Sequence, residues 1–234
     1  MKSVGIICEY NPFHNGHLYH INKIKEMFPD YTIILVMSSS FTERGEVSIV
    51  NKFDKAVVAL NYGVDLVVEL PFVFSCQAAD IFAKGSISIL NYLNCEYLVF
   101  GSELDNIDII KKQAEIQTKN KDYDKLVKDY MKEGINYPTA MNKALTKLGG
   151  NSINTPNDLL GLSYIKEIIK NKYNITPISI KRTNDYHSLD VKGKIISASA
   201  IRNLINNKKR IKKYVPSFSY KYINKKNIND KLFE

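Results

Sequence analysis

Three histidines recur at every third position near the amino terminus, His14, His17 and His20, and two of them bracket Gly16 in the run His14-Asn15-Gly16-His17. The run follows a short apolar stretch, SVGIIC at 3–8, and meets the first helical pattern at 16–27, which places it on a strand-to-helix turn. A helix amino terminus there presents unpaired N–H groups and a positive partial charge, and glycine admits a phosphate close to the backbone. Two imidazoles flanking that glycine can donate hydrogen bonds to phosphate oxygens and stabilise charge that builds up during displacement at an α-phosphorus. Surface histidines or a metal cluster are the competing readings. Structural zinc would need further ligands at suitable spacing, and the nearest cysteine, Cys8, sits in a core-patterned strand.

A second constellation lies far along the chain, at Ser197-Ala198-Ser199-Ala200-Ile201-Arg202. Two hydroxyls at a helix start and a cation one turn later make a phosphate grip. Helix capping by the serines is the plainer reading, and the two roles are compatible. No Ser-His-Asp or Cys-His arrangement stands out. Cys8, Cys76 and Cys95 are odd in number, far apart and set in apolar runs, which points to buried reduced thiols rather than to disulfides or a zinc ribbon.

Apolar runs at 3–8, 31–37, 65–70 and 97–101 read as buried strands, and the patterns at 16–27, 51–62 and 75–93 as the helices between them. Continuous apolar strands alternating with helices predict an α/β fold with a doubly wound parallel sheet and a ligand crevice at the carboxyl ends of its strands. A helical insertion follows over about 106–170, with Tyr137-Pro138 and Thr155-Pro156-Asn157 as helix starts, then a strand at 176–182. Residues 183–193 have no clear period and are expected to form a loop or flap near the site.

The domain is expected to span 1–206, with 207–234 a basic tail or a truncated RNA-binding region. Of the net charge of +9, residues 201–234 carry most, with ten Lys or Arg against two acids. Such asymmetry suggests a polyanionic partner, the alternative being a solvated lysine-rich end. Because the phosphate-binding patterns end at Arg202, removal of 203–234 is predicted to spare nucleotide chemistry. No run is long and apolar enough to cross a bilayer, and no signal-peptide pattern opens the chain, so a soluble cytoplasmic protein is expected.

The stretches GIICEYNPFHNGHLYHI, SSSFTERGEVSIVNKFDKA, GVDLVVELPF, AADIFAKGSISIL, FGSE, PNDLLGLSYIK, IKRTNDYHS and IISASAIR together resemble the tRNA(Met) cytidine acetate ligase family, within the HIGH-motif nucleotidyltransferase superfamily. The resemblance implies that ATP and acetate form acetyl-AMP, and that the acetyl group then passes to the N4 amine of the wobble cytidine of elongator tRNA(Met). It implies that ATP is wrapped by Ile7, Cys8, Glu9, Tyr10, Asn11, Pro12, Phe13, His14, Asn15, Gly16, His17, Leu18, Tyr19 and His20, with contacts from Gly101, Asn157 and Arg182. Ser197, Ser199 and Arg202 match the second superfamily signature, and His14, His17 and Arg202 would carry catalysis. Gly101 would make room for adenosine, and Arg182 could hold a phosphate by its fork of donors. For Asn157 helix capping is the alternative. Magnesium could bridge the ATP phosphates. The family usually has glycine and glutamine where this chain has Ser39 and Glu43, so the second-strand loop at 38–45 would bind substrate with altered geometry, and family members generally continue well beyond residue 234. Two other functions remain open: adenylyl transfer to a small phosphorylated metabolite, and non-catalytic RNA binding.

Overall fold

The computed structural model describes residues 2–182 and 193–223. The chain order is β1 (Ser3–Cys8), α1 (Asn15–Met27), β2 (Thr32–Ser38), α2 (Lys52–Asn61), β3 (Leu66–Leu70), α3 (Phe72–Ser75), α4 (Ala79–Tyr92) and β4 (Tyr97–Ser102). There follow α5 (Ile107–Lys119), α6 (Tyr123–Lys132), α7 (Tyr137–Lys147), α8 (Pro156–Asn171), β5 (Thr176–Lys181), α9 (Ala198–Asn206) and α10 (Ser217–Ile223). The strands form one parallel sheet in the order β3-β2-β1-β4-β5. The doubly wound arrangement expected from the apolar runs is the one observed. The expected helix at 75–93 begins later, as α4 at Ala79, with Cys76, Gln77 and Ala78 separating it from the short α3, and the expected loop at 183–193 falls, save for Gly193, outside the described residues.

Alternation along each strand builds a core on both faces. Val4 and Ile6 of β1, Ile33, Leu35 and Met37 of β2 and Val99 of β4 point toward α1 and α2, with Ile21, Ile24, Val58 and Ala59. Ile7, Ile34, Val36, Leu98 and Phe100 point the other way, onto Phe82, Ile87 and Leu90 of α4 and Leu162 and Ile165 of α8. The sheet order reverses between β1 and β4. There β1 pairs with β2 over six positions but with β4 over only two, Val4 with Tyr97 and Gly5 with Leu98. Beyond those positions, among the described residues, no ladder joins the carboxyl ends of β1 and β4, and this is the crevice that an open parallel sheet offers to a ligand.

Residues 207–223 are no tail. Ile211, Tyr214, Val215 and Ile223 pack with Val50, Ile196, Ala200 and Ile201 in a third apolar cluster. Three further bonds tie the segment to the body: Asn15 N–H donates to the Tyr214 carbonyl at 3.0 Å, Ser219 Oγ to the Phe13 carbonyl at 2.8 Å, and the Phe218 N–H to Tyr62 Oη at 3.1 Å. The boundary expected at 206 therefore cuts through a packed unit. Composition concealed this because its apolar residues are spaced by neither helical nor strand period.

Candidate active site

A cavity of about 590 Å³ opens at the crevice between β1 and β4. Of the turn 7–20, Ile7, Cys8, Glu9, Tyr10, Asn11, His14, Gly16, His17, Tyr19 and His20 line it, and so do Gly101, Asn157, Arg182, Ser197, Ser199 and Arg202. Pro12, Phe13, Asn15 and Leu18 do not. Pro12 is buried, and Phe13 and Leu18 pack into the core beneath α1, while the Asn15 amide donates to the carbonyls of Lys194 at 2.8 Å and Lys213 at 2.9 Å. Those four hold the turn.

The two bracketing histidines cap their own helix. His14 is the N-cap of α1 and its Nδ1 accepts the Gly16 N–H at 3.0 Å, while His17 Nδ1 accepts the His14 N–H at 3.2 Å. The rings stack at 3.8 Å, and His17 also abuts Tyr10 at 4.6 Å. A nitrogen that accepts from a backbone N–H carries no proton, so each neutral ring bears its hydrogen on Nε2. Neither Nε2 has a recorded hydrogen bond among the described residues. Burial first, and then the nearby Arg182 charge, lower His14 to about 3 and His20 to about 4; burial, His14, Arg182 and His20 push His17 down as well. All three are neutral N–H donors at physiological pH.

The first turn of α1 was expected to present free N–H groups. Its N–H groups are already used: Asn15 to Tyr214, Gly16 to the His14 ring, and His17 and Leu18 to the His14 carbonyl. Gly16 is needed for the ring, since a Cβ there would lie 2.8 Å from His14 Cε1. The His14 imidazole lies in the space that glycine leaves. The backbone donors instead belong to α9. Ser197 caps it by accepting the Ala200 N–H at 3.1 Å, while the N–H groups of Ala198 and Ser199, both on the cavity wall, enter no recorded bond among the described residues. That amino terminus has the character of an anion cradle.

The arginines are placed differently from one another. Arg182 follows β5 and lies over Gly101, where a Cβ would meet its Cγ at 3.2 Å; its Nη1 reaches Asn157 Oδ1 at 3.4 Å and its Nε lies 3.5 Å from Glu103 Oε1. Asn157 donates to the same Glu103 at 2.5 Å and stands inside α8, whose N-cap is Thr155, so capping is not its role. The Arg202 guanidinium donates to the Asn11 carbonyl at 2.8 Å, Glu46 Oε2 at 3.1 Å and Ser199 Oγ at 3.3 Å. It clamps α9 to the 9–17 turn and keeps Nε–H and one Nη1–H for a ligand.

Sequence reasoning pointed to the loop at 38–45 through Ser39 and Glu43, but not to how it meets the cavity or to the wall opposite. The segment after β2 arches over the cavity through a Phe41–Val47 bridge and brings in Thr42, Glu43, Arg44 and Glu46. Asn11 Oδ1 accepts from Ile49 N–H at 2.8 Å, and Glu9 Oε1 accepts from Glu43 N–H at 2.6 Å. Beneath the arch, the buried Lys55 donates to the carbonyls of Glu9, Ser38 and Ser39 at 3.0, 2.8 and 2.6 Å. Phe82, Phe100, Leu160 and Tyr164 make an apolar wall opposite; the four-residue step from Leu160 to Tyr164, just beyond Asn157, was the available signal. Burial pushes the Cys8 thiol up to about 12 and raises the Glu9 carboxyl, so Cys8 is no thiolate nucleophile.

A parallel sheet with paired imidazoles on the first strand-to-helix turn and a Ser-x-Ser-x-x-Arg helix facing them defines a class. The chain belongs to the HIGH nucleotidyl transferase family, whose pattern matches residues 1–234. Within that class it is similar to tRNA(Met) cytidine acetate ligases. It is 44% identical over 227 residues to the one from Caldicellulosiruptor saccharolyticus, covering 95% of this chain and 57% of that protein. It is 44% identical over 215 residues to the one from Mycoplasma mobile, covering 92% and 72%. The apo form I crystal structure of Thermotoga maritima TmcAL superposes with a TM-score of 0.91 at 36% identity, over 98% of this chain and 57% of that one. A form II structure of the same protein, bound with α-thio ATP, gives 0.86 at 36% identity, over 95% and 55%. The chain thus spans a little over half the length of the Caldicellulosiruptor and Thermotoga proteins.

Proposed function

We propose that the chain uses ATP to activate acetate as acetyl-AMP and passes the acetyl group to the N4 amine of the wobble cytidine of elongator tRNA(Met), in the cytoplasm. The observation that carries this reading is the pair of neutral imidazoles whose Nδ1 atoms are held by backbone N–H groups, leaving Nε2–H on the cavity side. An acetate oxygen attacks the α-phosphorus, a new P–O bond forms, and the bond to pyrophosphate breaks. Negative charge grows on the phosphoryl oxygens. Donors fixed beforehand by His14, His17, Arg182 and the start of α9 stabilise that charge without moving a proton. In the second step the amine nitrogen attacks the acetyl carbon, AMP departs with its oxygen, and the amine loses a proton. No protein nucleophile is required, in keeping with the protonated Cys8.

The names of the similar proteins support the substrates, and the α-thio ATP bound by the Thermotoga protein supports the nucleotide. Among the described residues no three His, Cys, Asp or Glu side chains gather to hold a metal. A magnesium ion in the reaction would be held mainly by the ATP phosphates. No helix of the described residues is long and apolar enough to cross a membrane.

Incubation with labelled acetate, ATP and elongator tRNA(Met), followed by nucleoside analysis, is expected to yield N4-acetylcytidine. Pyrophosphate release that depends on nicotinamide mononucleotide or phosphopantetheine, and not on acetate, would replace this reading with adenylyl transfer to a phosphorylated metabolite. RNA binding without any pyrophosphate release would replace it with a binding role.

A further inference from the structure

The segment joining α9 to α10 carries Lys208, Lys209, Arg210, Lys212 and Lys213, and all five are exposed. None of their side chains is recorded in an ion pair among the described residues, and no Asp or Glu occurs between Arg202 and Ile223 to neutralise them. Five cations in six residues without counter-charges would repel one another and loosen a free end. Here they cannot spread, because Ile211 is 4% and Tyr214 3% exposed in the apolar cluster, and the carbonyls of Lys213 and Tyr214 accept the side-chain and backbone N–H groups of Asn15. Asn15 is the residue between His14 and Gly16–His17. The same Asn15 amide also holds the Lys194 carbonyl, just before Ile195 and Ile196 on the cavity wall. The basic turn is therefore indexed rigidly to the reacting turn, one hydrogen bond away from it.

From this juxtaposition we propose that Lys208, Lys209, Arg210 and Lys212 form a phosphate-binding ridge beside the 14–17 turn that holds the backbone of a single-stranded RNA loop while one of its bases enters the cavity. The proposal rests on the acetyl-transfer reading for the identity of the RNA. A loop suits the place better than a duplex, because a base must leave its stack to bring an exocyclic amine to an activated acyl group. Phosphate contacts of this kind carry no sequence information and fix register, which is what a ridge at constant distance from His14 and His17 supplies. Lys213 is spared this role, its ammonium lying 4.7 Å from the centre of the Tyr214 ring.

The test replaces Lys208, Lys209, Arg210 and Lys212 together with Gln in the full chain, leaving the buried residues and the Asn15 bonds intact. Binding of elongator tRNA(Met) and of its isolated anticodon stem-loop is measured over a range of salt, beside acetate-dependent pyrophosphate exchange. The variant is expected to bind both RNAs about tenfold or more weakly, with the salt slope lowered by about 0.7 for each single-strand phosphate that is no longer neutralised. Exchange should match the wild type, since none of the four lines the cavity. Unchanged RNA affinity and slope would overturn the ridge, and so would a loss of binding to phosphatidylserine vesicles with RNA binding intact, which would mark a membrane surface. The two readings fail separately. Wild type lacking acetate-dependent exchange but losing RNA affinity in the variant would sink acetate activation and leave the ridge standing.

Discussion

His14 and His17 hold the start of α1, and the proposed chemistry would use the same two rings. The Nδ1 of His14 replaces the Ser, Thr, Asp or Asn oxygen that ordinarily caps a helix, and the Nδ1 of His17 takes the place of the Glu or Gln that closes a capping box. His17→Gln keeps an acceptor for the His14 N–H but removes the imidazole donor. It is expected to unfold within about 0.5 kcal/mol of wild type and to lose about 10²-fold in pyrophosphate exchange, whereas His17→Ala should lose the cap as well, at a cost of about 1 kcal/mol. Full exchange activity in either folded variant would remove His17 from catalysis. The same burial sets a pH dependence. With the folded rings titrating at about 3 for His14 and about 4 for His20, against 6.5 when free, the unfolded chain binds more protons between those values. Stability from neutral burial is complete above pH 6.5 and is lost as pH falls toward the folded values. Each ring contributes a slope of about 1.4 kcal/mol per pH unit in that window. Urea midpoints should therefore drop between about pH 7 and about pH 5; equal midpoints would mean that the rings reach water and titrate normally.

The elements that make the cavity are held by bonds far apart in sequence, and this decides what a sequence could disclose. Strands β1, β2 and β4 were legible because their apolar runs are continuous, and α1 because its motif followed a strand. The loop after β2 was legible as a substrate contact but its arched shape was not, because that shape comes from Asn11 with Ile49, Glu9 with Glu43 and Lys55 with three carbonyls, none of which leaves a periodic trace. Lys55 is the sharpest case. It is 2% exposed, and although burial lowers its pKa to about 8 against the pull of Glu9 and Glu69, three carbonyls within 3.0 Å match the three donors of the ammonium form. Removing it strands carbonyls at the ends of β1 and β2 together. Lys55→Met should cost on the order of 2–4 kcal/mol, net of the burial penalty it relieves, and should weaken ATP binding by loosening the arch. Thermal denaturation and calorimetric ATP titration would show both effects, and a variant as stable and as tight as wild type would make the three bonds incidental. The second constellation was legible in type but not in division of labour: Ser197 caps, Ser199 receives Arg202, and Arg202 clamps the 9–17 turn while retaining two donors for a ligand.

At the scale of the whole molecule, net charge suggested a separable tail, and burial shows that residues 207–223 pack against the turn that carries Phe13 and Asn15. A truncation tests that packing. A chain ending at Asn206 loses the buried Ile211, Tyr214, Val215 and Ile223, each worth about 1.5–3 kcal/mol of burial when fully covered. It also strands the Asn15 N–H and the Phe13 carbonyl, both beside the histidines. Against a total stability of about 5–15 kcal/mol, that loss should leave little folded protein and little exchange. Ser219→Ala separates local support from global stability. It removes one 2.8 Å bond to the Phe13 carbonyl, costs about 1 kcal/mol, and should lower exchange measurably in a protein that still melts cooperatively. Full exchange and an unchanged melting temperature in the chain ending at Asn206 would restore the tail, and the charged segment would then act on RNA alone.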